Sequence, residues 1–194
     1  MKNILKATIA VILIATISSA CKKTVDYKRQ QTTQSDFAFA DKNYGDADFD
    51  ITPPTTNSPE PFTYISSNTN VATVNGSTVS IKGAGITTIT ATQRESDKFT
   101  QLAIAADFKV NRIAPTINNF PAVTKLASDA AFALTAPTSN SSGSILYTIA
   151  DPTIASINGN IVTVKKAGKT TITASQIANG NYTAGTITTD LTVN

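Results

Sequence analysis

A single offset of 83 residues carries one half of this 194-residue chain onto the other, and that repeat restricts the fold more than any other feature. Tyr64 falls on Tyr147, Asn75-Gly76 on Asn158-Gly159, and Lys82 with Ala84-Gly85 on Lys165 with Ala167-Gly168. The same offset carries Thr87-Thr-Ile-Thr-Ala91 onto Thr170-Thr-Ile-Thr-Ala174, Gln93 onto Gln176, Phe99 onto Tyr182 and Val110-Asn111 onto Val193-Asn194. Upstream, Phe37 and Phe49 meet Phe120 and Phe132, and no gap is needed anywhere. Two units are therefore expected, residues 35–111 and 112–194. The stretch Asn111-Arg-Ile-Ala-Pro115 between them is too short for a flexible linker, so the units are expected to abut end to end with limited bending.

Hydrophobic residues make up 41% of the chain and charged residues 15%, with Thr, Ser, Ala, Ile and Val prominent, a composition that suits short half-buried strands. Thr78-Val-Ser-Ile-Lys82 and Ile161-Val-Thr-Val-Lys165 alternate apolar and polar residues with the period of a strand. Asn75-Gly76 and Asn158-Gly159 tolerate positive φ, and place a hairpin turn between those strands and Val71–Val74 or Ile154–Ile157. Gly85 and Gly168 are expected to open the next turn, before strands over 86–93 and 170–176, and 104–110 and 187–193 read as closing strands. About seven short strands per repeat predicts an all-β sandwich. Neither repeat contains Cys or Trp, so each core is expected to rest on aliphatic packing with Phe49, Tyr64 and Phe99, and with Phe132, Tyr147 and Tyr182.

At Tyr64 to Ala91 the chain resembles the bacterial immunoglobulin-like domains of group 2. Their pattern of a Tyr-x-Ser-Ser-Asn strand, a Val-Ala-Thr-Val strand, Asn-Gly and Gly-Ala-Gly-x-Thr-Thr-Ile-Thr-Ala is echoed there, and again in the second repeat. Ala150-Asp151-Pro152 replaces Ser67-Asn68-Thr69, and Lys166 replaces Gly83, both at turns. The resemblance implies two tandem immunoglobulin-like β-sandwich domains and the setting of surface proteins, adhesins and accessory modules of exported enzymes. It implies no particular ligand.

The N-terminal segment 1–20 reads as a signal peptide. Lys2 and Lys6 precede an uncharged stretch, Ala7 to Ala20, whose core is too short to span a bilayer of about 20 helical residues. Its small-residue end Ser18-Ser19-Ala20 meets Cys21, the one cysteine of the chain. This junction resembles a bacterial lipoprotein signal, in which the cysteine after the cut is acylated; Ser18 departs from the leucine the family favours. An ordinary cut after Ala20, leaving a free thiol, is the alternative. A lipid on Cys21 is the only covalent group expected, and at about 0.8 kcal/mol per buried CH₂ several acyl chains hold a protein firmly to a membrane. Residues 21–34 are polar and read as a disordered tether. From Asp36 onward ten basic residues face twelve acidic ones, a net of −2, so the sequence pI of about 9.0 comes from the signal and tether and nucleic acid is not an expected partner.

Candidate chemistry is sparse. The chain has no His, no further Cys and no Gly-rich phosphate loop, so no catalytic residue is expected and the protein reads as a non-enzyme. Asp46, Asp48 and Asp50 are the only candidate metal ligands. They fit a solvated strand face better than a calcium loop, because Ile51 and Asn57 stand where the helix-loop-helix pattern needs Gly and Glu. No cofactor is therefore expected, with structural calcium at these acids as the alternative. Tyr27 and Tyr44 have no aromatic counterpart in the other repeat and are the candidates for stacking on a sugar ring. Lys165, Lys166 and Lys169 read as a solvated turn. The expected function is a membrane-anchored module of the cell envelope, in an outer membrane and facing either side. Its domains would serve adhesion, recognition of a protein or glycan, or spacing; a glycan-binding accessory lipoprotein of an uptake system is the alternative.

Overall fold

The computed structural model describes residues 36–194; the signal segment, Cys21, Tyr27 and the tether lie outside the described residues. In the first repeat the strands are β1 (Lys42–Asn43), β2 (Phe49–Asp50), β3 (Phe62–Ser66), β4 (Ala72–Asn75), β5 (Thr78–Ile81), β6 (Gly85–Gln93) and β7 (Leu102–Asn111). They form two sheets, ordered β1-β7-β6-β3 and β2-β5-β4, with every pairing antiparallel except β1 on β7. The second repeat has β8 (Ile117–Asn118), β9 (Val123–Lys125), β10 (Phe132–Ala133), β11 (Thr138–Ser139), β12 (Ile145–Ile149), β13 (Ala155–Asn158), β14 (Ile161–Val164), β15 (Gly168–Gln176) and β16 (Gly185–Val193). Its sheets are β9-β16-β15-β12 and β10-β14-β13, and β8 with β11 adds a short ribbon. The all-β sandwich is as expected.

The long strands form where the repeat places inward residues at every second position. In β6 the side chains of Thr87, Ile89, Ala91 and Gln93 are buried while Ile86, Thr88, Thr90 and Thr92 face outward, and β15 repeats the pattern with Thr170, Ile172, Ala174 and Gln176. Ile89 meets Phe108, Val79, Val71 and Ile51 in the first core; Ile172 meets Leu191, Val162, Ile154 and Leu134 in the second. The two polar positions of each strand are bonded rather than wasted. Thr87 Oγ1 accepts the Asn68 N–H at 2.9 Å, and Thr170 Oγ1 accepts the Asp151 N–H at the same distance, so each tethers the loop after β3 or β12.

The turns differ from expectation by one residue. Asn75 and Asn158 are the last residues of β4 and β13, and the two-residue loops are Gly76-Ser77 and Gly159-Asn160. Only the glycines have positive φ, at 60° and 58°, which is the type II′ arrangement with glycine leading. Gly85 and Gly168 likewise do not open a turn; they begin β6 and β15, with φ of 147° and 154°. A Cβ on Gly76 would meet open space, whereas one on Gly85 would lie 2.9 Å from Val71 Cγ2, on a β-branched and therefore stiff side chain. Gly85→Ala is accordingly expected to lower the melting temperature more than Gly76→Ala. Equal losses in thermal unfolding would remove the packing argument.

Candidate functional site

The acids singled out by sequence serve separate local bonds. Asp48 accepts the Ser80 hydroxyl at 2.6 Å and Asp50 the Thr78 hydroxyl at 2.7 Å, each reaching across from β5 on an exposed face. Asp46 accepts the Asn43 N–H at 2.8 Å, and Asp129 does the same for Leu126 in the second repeat, which marks both as turn caps. Among the described residues no group of three or more His, Cys, Asp or Glu is placed to hold a metal ion. The lysine turn is also locally engaged: Lys165 bonds the Pro152 carbonyl at 2.9 Å, and Lys169 pairs with Asp190 at 2.8 Å. The Thr153 hydroxyl and N–H hold the Asp151 carboxyl below the usual carboxylate range, with Lys166 adding to the effect.

The aromatic residues divide in a way the repeat alone does not reveal. Tyr64 and Tyr147 pack against the two cores, and burial pushes both phenols up from their ordinary value. Phe49 and Phe132 are core neighbours too, each with a lysine above its ring, Lys42 at 5.4 Å and Lys125 at 4.7 Å. Phe99 and Tyr182, expected in the cores, are in neither. Tyr182 lies between the repeats, edge-on to Tyr44 with centroids 5.9 Å apart and planes at 78°. Tyr44 is thus spent on a ring contact at the joint.

At that joint the two halves contact each other through side chains and backbone. Asn181 Oδ1 accepts the Ala84 N–H at 2.8 Å. The connecting chain has no slack: Ile113 N–H donates to the Asn181 carbonyl at 3.1 Å, and Thr183 N–H to the Ile113 carbonyl at 2.8 Å, a parallel bridge formed directly after β7 ends. A Cβ on Gly83 would lie 2.7 Å from the Asn70 carbonyl oxygen and 3.2 Å from Asn181 Oδ1, so the close approach requires glycine. Three of the joint residues break the repeat: Ala127, Lys166 and Lys98 stand opposite Tyr44, Gly83 and Asn181. Departure from an internal repeat is the sequence signal that points to them.

Beside the joint runs a groove of about 370 Å³, lined by Ala84, Gly85, Ile86, Lys109 and Arg112 of the first repeat and its connector and by Thr183 of the second. Ile86 is 59% exposed on its floor. Lys109 pairs with Asp41 at 2.8 Å, and that hydrogen bond holds the Asp41 carboxyl below the usual range. Arg112 forms no ion pair with a described acid.

Residues 59–95 match the intimin immunoglobulin-like domain, and residues 108–187 match the bacterial Ig-like domain of group 2. No curated protein matches the chain. Among solved structures, Drosophila N-cadherin EC1-4 is similar at 13% identity and a TM-score of 0.42, covering 86% of this chain and 50% of its own. The insect immune protein hemolin is similar at 13% identity and a TM-score of 0.45, covering 89% and 49%. A SusE-like surface-located polysaccharide-binding protein from the Bacteroides thetaiotaomicron heparin utilisation locus is similar at 11% identity and a TM-score of 0.31, covering 84% and 34%. The chain thus spans half or less of these three. Immunoglobulin-like domains of the intimin and group 2 types are typically non-catalytic and fit a protein of the cell surface. Among the described residues no helix is long and apolar enough to cross a membrane.

Proposed function

Because this chain carries two bacterial immunoglobulin-like domains in tandem, we propose that it is a non-enzymatic surface module, anchored through a lipid on Cys21, that holds its second repeat at a set distance from an outer membrane for adhesion, recognition or spacing. The observation that carries this reading is the joint. The Tyr44–Tyr182 contact, the Asn181–Ala84 bond and the bridged connector favour a fixed two-domain unit over two independently swinging domains. The recurring motif residues support it from the other side, since Thr87, Ile89, Ala91, Gln93 and their counterparts are all occupied in packing or internal bonds. Anchoring through Cys21 and tethering over residues 21–34 complete the reading.

Every described aromatic ring is buried or half-buried, which weighs against a stacking platform of the kind a glycan-capturing accessory protein uses. The anchor is tested by intact mass spectrometry of membranes from cells making the wild type or Cys21→Ser. Diacyl or triacyl mass on Cys21, with the variant released, is expected. A wild-type chain beginning at an unmodified Cys21 and recovered in the soluble fraction would overturn the anchor and leave a secreted two-domain module.

A further inference from the structure

We propose that the groove at the joint binds an acidic saccharide, with a sugar carboxylate on Arg112 and the aliphatic face of the ring against Ile86. This gives the recognition arm of the reading above a ligand and rests on its surface setting, not on the lipid anchor.

Three features of the groove select the class. The first is charge. Arg112 lacks a described acidic partner, while Lys109 beside it is already matched by Asp41, so the groove keeps one unspent cation. A guanidinium presents a planar fork that fits a carboxylate with two parallel bonds, which a free lysine does not. The second is the floor: Ile86 is a large apolar side chain left open to solvent on a strand whose other outward residues are threonines. It offers a non-aromatic surface for the CH face of a ring. The third is the rim. Thr183 and Asn111 place a neutral hydroxyl and a neutral amide there, groups of the kind that bond sugar hydroxyls. The groove is shallow and open, with about 370 Å³ of space beside the joint, so a ligand rests on it and is not enclosed. Thr183, which lines the groove, has its N–H bonded to the Ile113 carbonyl, so the joint contributes to the shape of the site.

The test is isothermal titration of the full chain with a short oligogalacturonate, with maltotriose and a Glu-rich peptide as comparators. Arg112→Gln and Ile86→Ser probe the groove, and Lys165→Gln alters a lysine at the opposite end of the second repeat. The expected result is binding of the oligogalacturonate that Arg112→Gln weakens about tenfold or more, the effect of removing a charge-assisted bidentate contact. Ile86→Ser is expected to weaken it less and Lys165→Gln not at all. No binding, affinity unchanged in Arg112→Gln, or equal affinity for maltotriose would overturn the proposal. Equal or tighter binding of the peptide would also overturn it, in favour of a protein ligand. None of these outcomes bears on acylation of Cys21, so the proposal and the anchor fail separately.

Discussion

Replacing Gln176 by leucine is expected to destabilise the second repeat by about 3–5 kcal/mol, although the swap is close in size and more apolar. The side chain is 2% exposed and its amide is fully bonded. Its Nε2 donates to the Ser141 carbonyl at 2.9 Å and the Gly143 carbonyl at 2.8 Å, while Oε1 accepts the Ser139 hydroxyl at 2.6 Å. Leucine leaves the buried Ser141 and Gly143 carbonyls without the amide and takes the acceptor from the half-buried Ser139 hydroxyl, which keeps the Ser141 N–H, and each such loss costs about 1–3 kcal/mol. Gln93 makes the matching set with Ser58, Glu60 and Thr56 in the first repeat, so Gln93→Leu should act alike on the other domain. Urea unfolding followed separately for the two domains reads both. A loss below about 1 kcal/mol for Gln176→Leu would mean that the loop over 139–143 relaxes to water and the amide is not a structural pin.

Phe108→Ala is expected to cost the first repeat about 3–5 kcal/mol. The ring is fully buried and central, with Phe49 at 5.3 Å and Phe39 at 5.7 Å, both edge-on. Truncation removes its transfer energy, leaves a cavity and deprives two further rings of their partner. The second repeat supplies an internal comparison, because Leu191 occupies the equivalent place and is also fully buried. Phe108→Leu is therefore expected to cost about 1–1.5 kcal/mol, provided the neighbouring side chains close in. Calorimetry of both variants decides the matter: a leucine variant as damaged as the alanine one would show that the aromatic cluster, not volume, holds this core.

Much of this fold is legible in the chain because the repeat marks inward positions. β6 and β15 stand out, since Thr, Ile, Ala and Gln recur at every second residue and each has a buried role. β1, β2, β8, β10 and β11 are two residues long, below the length at which alternation is a signal, and only pairing partners far along the chain define them. The turn register differs from the sequence expectation because Asn-Gly suits a type I′ loop, whereas here the asparagine stays in the strand and glycine leads a type II′ loop. Recurrence itself misleads at Phe99 and Tyr182: an aromatic is kept at both positions, and at Tyr182 it serves the joint instead of a core. The joint and its groove depend on contacts such as Ala84 with Asn181, 97 residues apart, and no local pattern encodes them.

The parallel pairing of an early strand of each repeat, β1 or β9, with its last bears on how the molecule carries load. β1 lies along β7 through Lys42–Val110 and Asn43–Asn111, reinforced by Tyr44 N–H on the Asn111 carbonyl and by the Asp41–Lys109 ion pair. β9 lies along β16 through three such pairs. A pull that draws the two ends of a repeat apart slides these strands past one another lengthwise. The bonds between them are then strained together, in shear, instead of opening one at a time as in a zipper. Tension leaving the first repeat passes through Arg112 straight into the bridged Ile113, so a tug from either end reaches both clamps with little slack to take up first.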